Sequence, residues 1–135
     1  MGKALVCERL QQLGCVIRPS ANPGDGRLEI TTVSGRELEV FVSTQRVGGY
    51  VFWTKRRLQP SAERFAALVL LDAGSAPELY LVPTTDWLDA SHPLTDRDYE
   101  GLASEPEWGI AIGPASLGAL RRYAWTDSVA RRAFR

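Results

Sequence analysis

Three consecutive runs of β-forming residues between Leu28 and Lys55 constrain the fold more than any other part of the sequence. Each run is rich in Val, Ile, Thr or aromatic residues, and Ser-Gly and Gly-Gly pairs lie in the gaps. Such runs, separated by short turn sequences, indicate consecutive antiparallel strands. We therefore predict a three-stranded meander whose strands span 28–33, 37–43 and 50–55.

Alternation places acidic side chains on one face of this predicted sheet. Successive side chains of a strand point to opposite faces, so Glu39 lies opposite Leu38 and Val40. Glu29 likewise lies on the polar face of the first run. A carboxylate on each of two adjacent strands, with Lys55 closing the third, is a candidate site. The simpler interpretation is the solvated face of a half-exposed sheet.

The remaining sequence predicts one α+β domain over 1–135. The continuous apolar run Phe65–Leu71 suits a strand buried on both faces. Residues 108–112 are ambiguous between strand and loop. The sequence also predicts an N-terminal helix ending before Gly14, a short strand at Cys15–Ile17, a Pro/Gly loop at 19–26 and a strand at Leu79–Val82. Two short helices are predicted next, one from Thr84 or Thr85 to Leu88 and one from Thr95 to Leu102. A helix from Pro114 to Tyr123 follows, and a last helix, which Asp127 caps, runs through Ala133.

Charge is balanced overall but uneven along the chain. Lys+Arg and Asp+Glu both total 16 in 135 residues, so no global basic field indicates a nucleic-acid partner. The segment 86–107 is acidic apart from Arg97. Five arginines crowd the end of the chain, namely Arg121, Arg122, Arg131, Arg132 and Arg135. We expect the outer face of a helix there, or a surface for phosphate or an acidic partner.

Cysteine and histidine content argues against a zinc site and against a disulfide framework. Cys7 and Cys15 form no CxxC pattern, and His92 is the only histidine. No apolar run approaches the roughly 20 residues of a membrane span, and no signal peptide opens the sequence. We expect a cytoplasmic protein without a membrane partner.

The order of these elements resembles the PD-(D/E)XK nuclease superfamily. The features that carry the resemblance are an initial helix, a strand bearing an acid, a tight Ser-Gly turn, a strand ending where a catalytic lysine would lie, an aromatic strand around Trp53, and the segments Glu78–Thr84 and Leu120–Trp125. The likeness is greatest to small bacterial members similar to Holliday-junction resolvases. It implies a restriction-endonuclease-like fold, in which a mixed central sheet with an antiparallel meander is flanked by helices. Because such relatives often pair, it also implies a homodimer.

In that family, a strand acid and a (D/E)xK triplet hold Mg²⁺, and the lysine helps to activate the attacking water. The resemblance puts Glu29 at the first acid position and the triplet on Phe41–Ser43, so the second acid and the lysine are missing. Glu39 on the same face, Lys55 from the next strand and Glu8 on the first helix are conceivable replacements. The implied metal ligands of an active protein are then Glu29, Glu39 and Glu8.

Two functional hypotheses follow. The first, which we prefer, is a nuclease-like fold that has lost catalysis and binds nucleic acid or another protein, with no cofactor. The second is a divergent Mg²⁺-dependent DNA endonuclease that uses Glu29, Glu39 and Lys55. For nucleic acid, the candidate contacts are Lys55, Arg56 and Arg57 beside the aromatic Trp53, although a solvated strand end is the simpler interpretation of that basic run.

Overall fold

Two β-sheets of different size carry the fold in the computed structural model, which describes residues 2–18, 26–71, 75–99, 101 and 103–135. The strands are β1 (Val16–Arg18), β2 (Arg27–Thr31), β3 (Glu37–Arg46), β4 (Tyr50–Thr54), β5 (Arg64–Leu71), β6 (Glu78–Pro83), β7 (Leu94–Arg97) and β8 (Glu107–Ala111). The α-helices are α1 (Gly2–Gln12), α2 (Leu117–Leu120) and α3 (Asp127–Ala133). Short 3₁₀ helices span Thr84–Asp89, Pro114–Ser116 and Arg121–Tyr123.

The large sheet is mixed and the small sheet is antiparallel. The large sheet has the order β1-β2-β3-β5-β6, in which β3 and β5 run parallel and the other neighbours run antiparallel. The small sheet has the order β4-β8-β7. The predicted α+β class with a mixed central sheet is therefore confirmed.

The third strand of the predicted meander lies elsewhere. Residues 50–54 form β4 of the small sheet, whereas the antiparallel meander of the large sheet consists of β1, β2 and β3. Gly48 and Gly49 adopt φ values of 127° and 67°, which favour glycine. They also exchange backbone hydrogen bonds with Ile112, just past β8. The chain therefore leaves the large sheet after β3, and the apolar β5 takes the free edge of β3.

The large sheet separates two apolar cores. On one face it packs against α1 and α3, and the side chains buried there are Val6, Leu10, Ala130 and, just after α3, Phe134. On the other face it packs against the small sheet, which contributes Val51, Trp53, Trp108 and Ile110. Since β5 lies between both cores and is buried along Phe65–Leu70, the prediction of a doubly buried strand is confirmed.

Most local predictions hold. The first helix ends at Gln12 before Gly14, which has φ 83°, and Pro114 opens the 3₁₀ helix that leads into α2. The ambiguous segment at 108–112 largely belongs to β8. The Pro/Gly loop predicted at 19–26 lies outside the described residues except for Gly26, and Leu102 also lies outside them.

Three helix predictions need correction. A helix beginning at Thr95 is wrong, because Leu94–Arg97 is a strand that buries Leu94 and pairs Thr95 with Gly109. Thr84 does not cap its helix: its side chain is buried, and its hydroxyl lies 3.0 Å from the carbonyl oxygen of Ser61. The cap of α3 is Thr126 rather than Asp127, since the Thr126 hydroxyl accepts the backbone N–H of Val129.

Within the described residues, no helix combines the length and apolar character needed to span a membrane.

Candidate functional site

Glu29 and Glu39 lie side by side on the large sheet. They are directly opposed in the register of β2 and β3. Leu28 and Leu38 point into the helix-side core, so strand alternation places both carboxylates on the other face. Their side chains remain 36% and 26% exposed. The sequence prediction that these two acids share a face is confirmed.

Two arginines hold this carboxylate pair. Arg27, two residues before Glu29 on β2, places Nη1 3.2 Å from Oε2 of Glu39 and Nη2 3.9 Å from Oε1 of Glu29. The parallel register sets Arg64 of β5 beside Glu39, and its Nε donates to Oε1 of Glu39 at 3.1 Å. The second arm of Arg64 donates to the carbonyl oxygen of Gln59 at 2.8 Å. Both oxygens of Glu39 therefore have a guanidinium partner.

An open groove of about 300 Å³ runs past this cluster, lined by Arg18, Glu29, Glu37, Leu38, Glu39 and Glu63. Arg18 pairs with Glu37 at 3.0 Å. The hydroxyl of Ser61 donates to Glu63 at 2.6 Å, and this hydrogen bond lowers the pKa of that carboxyl. Across the part of the chain that the structure describes, no group of three or more His, Cys, Asp or Glu side chains is placed to hold a metal ion.

The expected catalytic triplet positions carry other side chains on the same face. Phe41 is 4% exposed and belongs to the core between the two sheets. The hydroxyl of Ser43 accepts a hydrogen bond from Nε2 of Gln45 at 3.1 Å. Neither residue offers a charge to a phosphate or to a metal ion.

Glu8 and Lys55 lie apart from the carboxylate pair. Glu8 is exposed on α1, which packs on the opposite face of the large sheet. Lys55 follows β4 in the small sheet, where Nζ donates to Asp96 and, at 2.6 Å, to Asp98. Burial lowers the pKa of Lys55, but the hydrogen bonds and charges of those two aspartates outweigh it and raise the pKa overall. Of the four predicted catalytic or metal-binding residues, the fold thus brings Glu29 and Glu39 together and leaves the other two elsewhere.

The basic segment after β4 is also engaged internally. Trp53 is 7% exposed and packs edge-on against Trp87, with ring centroids 5.9 Å apart. A ring buried in this way has no free face for a nucleic-acid base. Nζ of Lys55 lies 4.1 Å from the ring centroid of Trp108, and Arg56 pairs with Glu105 at 3.1 Å. Much of the local positive charge is therefore neutralised by the acidic segment.

A second groove lies where the C-terminal segments meet β6, and no motif in the sequence indicated it directly. Two adjoining depressions of about 470 and 410 Å³ share Asp86, Arg122 and Tyr123. The hydroxyl of Tyr123 donates to Asp86 at 2.8 Å, and Arg122 donates to the hydroxyl of Ser91 at 3.2 Å. Burial, followed by the hydrogen bond to Asp86, raises the pKa of Tyr123. We call this continuous depression the C-terminal groove.

The five C-terminal arginines form no ion pair with a carboxylate of the described residues. This differs from Lys55 and Arg56, whose acidic partners are in place. The crowding of the five arginines near the end of the sequence was the one available signal for a binding surface here.

Comparison of the chain with protein-family models, with curated proteins and with solved structures finds no match.

Proposed function

We propose that this protein is a catalytically degenerate PD-(D/E)XK nuclease-like module that binds a macromolecular partner without cleaving it. The observation that carries this proposal is the pairing of both Glu39 oxygens with Arg27 and Arg64. A Mg²⁺ ion bound by carboxylate oxygens would have to displace two guanidinium groups. Phe41 and Ser43 occupy the triplet positions beside this pair, and neither supplies a cation to orient an attacking water.

The strand order supports a nuclease-like ancestry. The meander β1-β2-β3 precedes a parallel strand, β5, and the two acids lie on its neighbouring strands β2 and β3. The crossover from β3 to β5 contains β4 of the small sheet, whereas parallel strands are more often joined by a helix. The resemblance therefore covers the order of the large sheet and not the connection that crosses it.

We assign binding to the C-terminal groove. Arg122 and Arg132, which line it, form no ion pair with a carboxylate of the described residues, and such cations favour an anionic partner. DNA and an acidic protein surface are both anionic partners of this kind.

A divergent Mg²⁺-dependent endonuclease is the second candidate. The direct opposition of Glu29 and Glu39 favours it, because two adjacent carboxylates are a common part of Mg²⁺ sites in phosphodiesterases. This candidate needs Arg27 and Arg64 to move away from Glu39. It also needs a cation other than Lys55, which Asp96 and Asp98 hold.

Metal titration and cleavage in the same samples separate the two candidates. We expect the wild-type protein to show no heat of Mg²⁺ or Mn²⁺ binding in isothermal titration, and no cleavage of linear or branched DNA with either ion. The double variant Arg27→Gln/Arg64→Gln removes the competing guanidinium groups, and we expect it to gain weak metal binding that the further change Glu39→Gln abolishes.

Glu37→Gln is the matched control, because Glu37 lies on the same face of β3 but pairs with the exposed Arg18. Metal-dependent cleavage by the wild-type protein that is lost in Glu39→Gln and kept in Glu37→Gln would overturn the proposal in favour of the endonuclease.

A further inference from the structure

We infer that the C-terminal groove binds a segment of another protein that carries apolar and acidic side chains. This inference deepens the proposed function, since it takes the module to be a binding protein and names the chemistry of its partner. It rests on the apolar floor of the groove, the arginines at its edge and the polar character of its far end.

The floor of the groove is apolar. One part of it, about 410 Å³, is lined by the apolar side chains Phe65, Leu81, Pro83, Val129 and Ala133. These come from β5, β6 and α3, which are parts of one packed core. The groove is open to solvent along its length. An open depression suits one side of a polypeptide segment, whereas small-molecule sites usually enclose most of their ligand.

Arg122 and Arg132 stand at the edge of this apolar floor. Neither guanidinium forms an ion pair with a carboxylate of the described chain. Arginine binds carboxylates in a bidentate, charge-assisted geometry. An occupant that places an apolar side chain on the floor and a carboxylate within reach of either arginine satisfies both features.

The far end of the groove is polar and acidic. Thr85, Asp86, Asp89 and Ser91 line a depression of about 470 Å³ that continues the apolar part. Their oxygens can accept the backbone N–H groups of an extended segment.

The same features disfavour a nucleic-acid strand in this groove. Asp86 and Asp89 would repel a strand that carries a phosphate at every nucleotide, whereas a peptide can present its acidic side chains to Arg122 and Arg132 alone. Tyr123, the aromatic residue shared by both parts, is largely buried and bonded to Asp86, so it offers no stacking platform. The combination of apolar floor and mixed charge is typical of protein recognition, where an apolar centre has a polar rim.

Peptide pools test this inference directly. The probe is a pool of octapeptides in which every position is Glu, Asp, Leu or Phe, titrated into ¹⁵N-labelled full-length protein. We expect saturable shifts of the amide resonances of Leu81, Tyr123, Val129 and Ala133. One comparison pool replaces Leu and Phe by Ser, and another replaces Glu and Asp by Lys. We expect each to bind at least about tenfold more weakly, because it lacks one half of the recognition.

Two variants of neighbouring arginines locate the site. Arg132→Glu should weaken binding of the acidic-apolar pool about tenfold or more, since it places a negative charge at the groove edge. Arg131→Glu is the matched control: it makes the same change one residue earlier on α3. Arg131 lines a different depression, with Leu13, Val33, Phe134 and Arg135, and we expect unchanged binding.

The outcomes are distinct from those of the metal experiment. No saturable shift with the acidic-apolar pool at 1 mM peptide (on the order of the weakest specific affinities), or equal weakening by Arg131→Glu and Arg132→Glu, overturns the inference. Binding of double-stranded DNA that shifts the same amides and that Arg132→Glu abolishes also overturns it, while leaving a non-cleaving binding module intact. Mg²⁺-dependent cleavage refutes the proposed function whether or not the peptides bind.

Discussion

Replacement of Trp87 by phenylalanine probes the contact that fastens the 3₁₀ helix of the C-terminal groove to the small sheet. Trp87 is fully buried, and its Nε1 donates to the carbonyl oxygen of Gly109 at 3.0 Å. Its ring meets that of Trp53 at 68°, with centroids 5.9 Å apart. The change keeps an aromatic ring but removes the donor and part of the buried surface.

The expected loss of folding free energy is about 3 kcal/mol. The smaller ring forfeits roughly 1–1.5 kcal/mol of apolar burial and leaves a small cavity. The lost N–H···O bond contributes about 1 kcal/mol, and the weakened edge-to-face contact adds about 0.5 kcal/mol. For a chain of this size, such a loss lowers the melting temperature by about 10 °C.

Urea denaturation followed by far-ultraviolet circular dichroism measures this loss. Leu88→Ala is the matched control, because Leu88 is the next residue of the same helix and is 69% exposed; we expect a change within about 0.5 kcal/mol. A loss below about 1 kcal/mol for Trp87→Phe, or an equal loss for both variants, would refute the packing of Trp87 between the helix and β8.

Two further variants, at Glu107 and Gly109, test the outer face of the small sheet, and a variant at Gly118 of α2 is the control for the second. Burial raises the pKa of the Glu107 carboxyl above its ordinary value of 4.5, so the folded state binds this proton more tightly than the unfolded chain and stability is lost as the pH rises through the folded pKa. The Tyr99 hydroxyl donates to this carboxyl at 2.7 Å, and Glu107→Gln keeps an acceptor for it. We expect the variant to be more stable than the wild type at pH 7, with a difference that vanishes below pH 4.5. An equal difference at both pH values in thermal melts would contradict this. Gly109→Ala places a Cβ 2.3 Å from Oγ1 of Thr95 and should lower the free energy of unfolding by about 2 kcal/mol in the same urea assay. Gly118→Ala places a Cβ that meets no atom within 4 Å, so it should leave that free energy unchanged or raise it by up to about 1 kcal/mol.

Local sequence was sufficient where one residue type decides the conformation. The end of α1 follows from Gly14, which takes a positive φ, and the burial of β5 follows from its uninterrupted apolar run. The strand at Leu94–Arg97 was missed because Thr95, with Asp96 and Asp98 shortly after it, also matches a helix start. What decides the conformation there is the pairing with β8, which no local pattern encodes.

The sheet to which Tyr50–Thr54 belongs could not be read from its residues. Its alternating pattern, with Val51 and Trp53 buried and Phe52 exposed, fits the edge of either sheet. The outcome depends on β5, which follows in the chain and takes the position beside β3. Hydrophobic periodicity describes one segment at a time, so it does not predict which of two distant segments pairs with a given strand edge.

The carboxylate pair was predicted correctly as a pair, but its surroundings were not. Opposed positions on β2 and β3 follow from the hairpin, so Glu29 and Glu39 were expected on one face. Arg64 lies 25 residues after Glu39 and reaches it only through the parallel register of β3 and β5. The C-terminal groove likewise joins residues from 65 to 133, and the crowded arginines alone indicated a surface there.

The start of β5 connects the two sites and also keeps them separable. Arg64 points to the face where it bonds Glu39, whereas the next residue, Phe65, points to the opposite face, lines the C-terminal groove and packs 5.3 Å from the ring of Phe134. Because neighbouring side chains of a strand face opposite ways, Arg64→Gln changes the charge around Glu39 without removing a side chain from the groove. Loss of metal exclusion is therefore expected from changes at Arg27 and Arg64, and loss of peptide binding from a change at Arg132, so the two properties are tested in different variants.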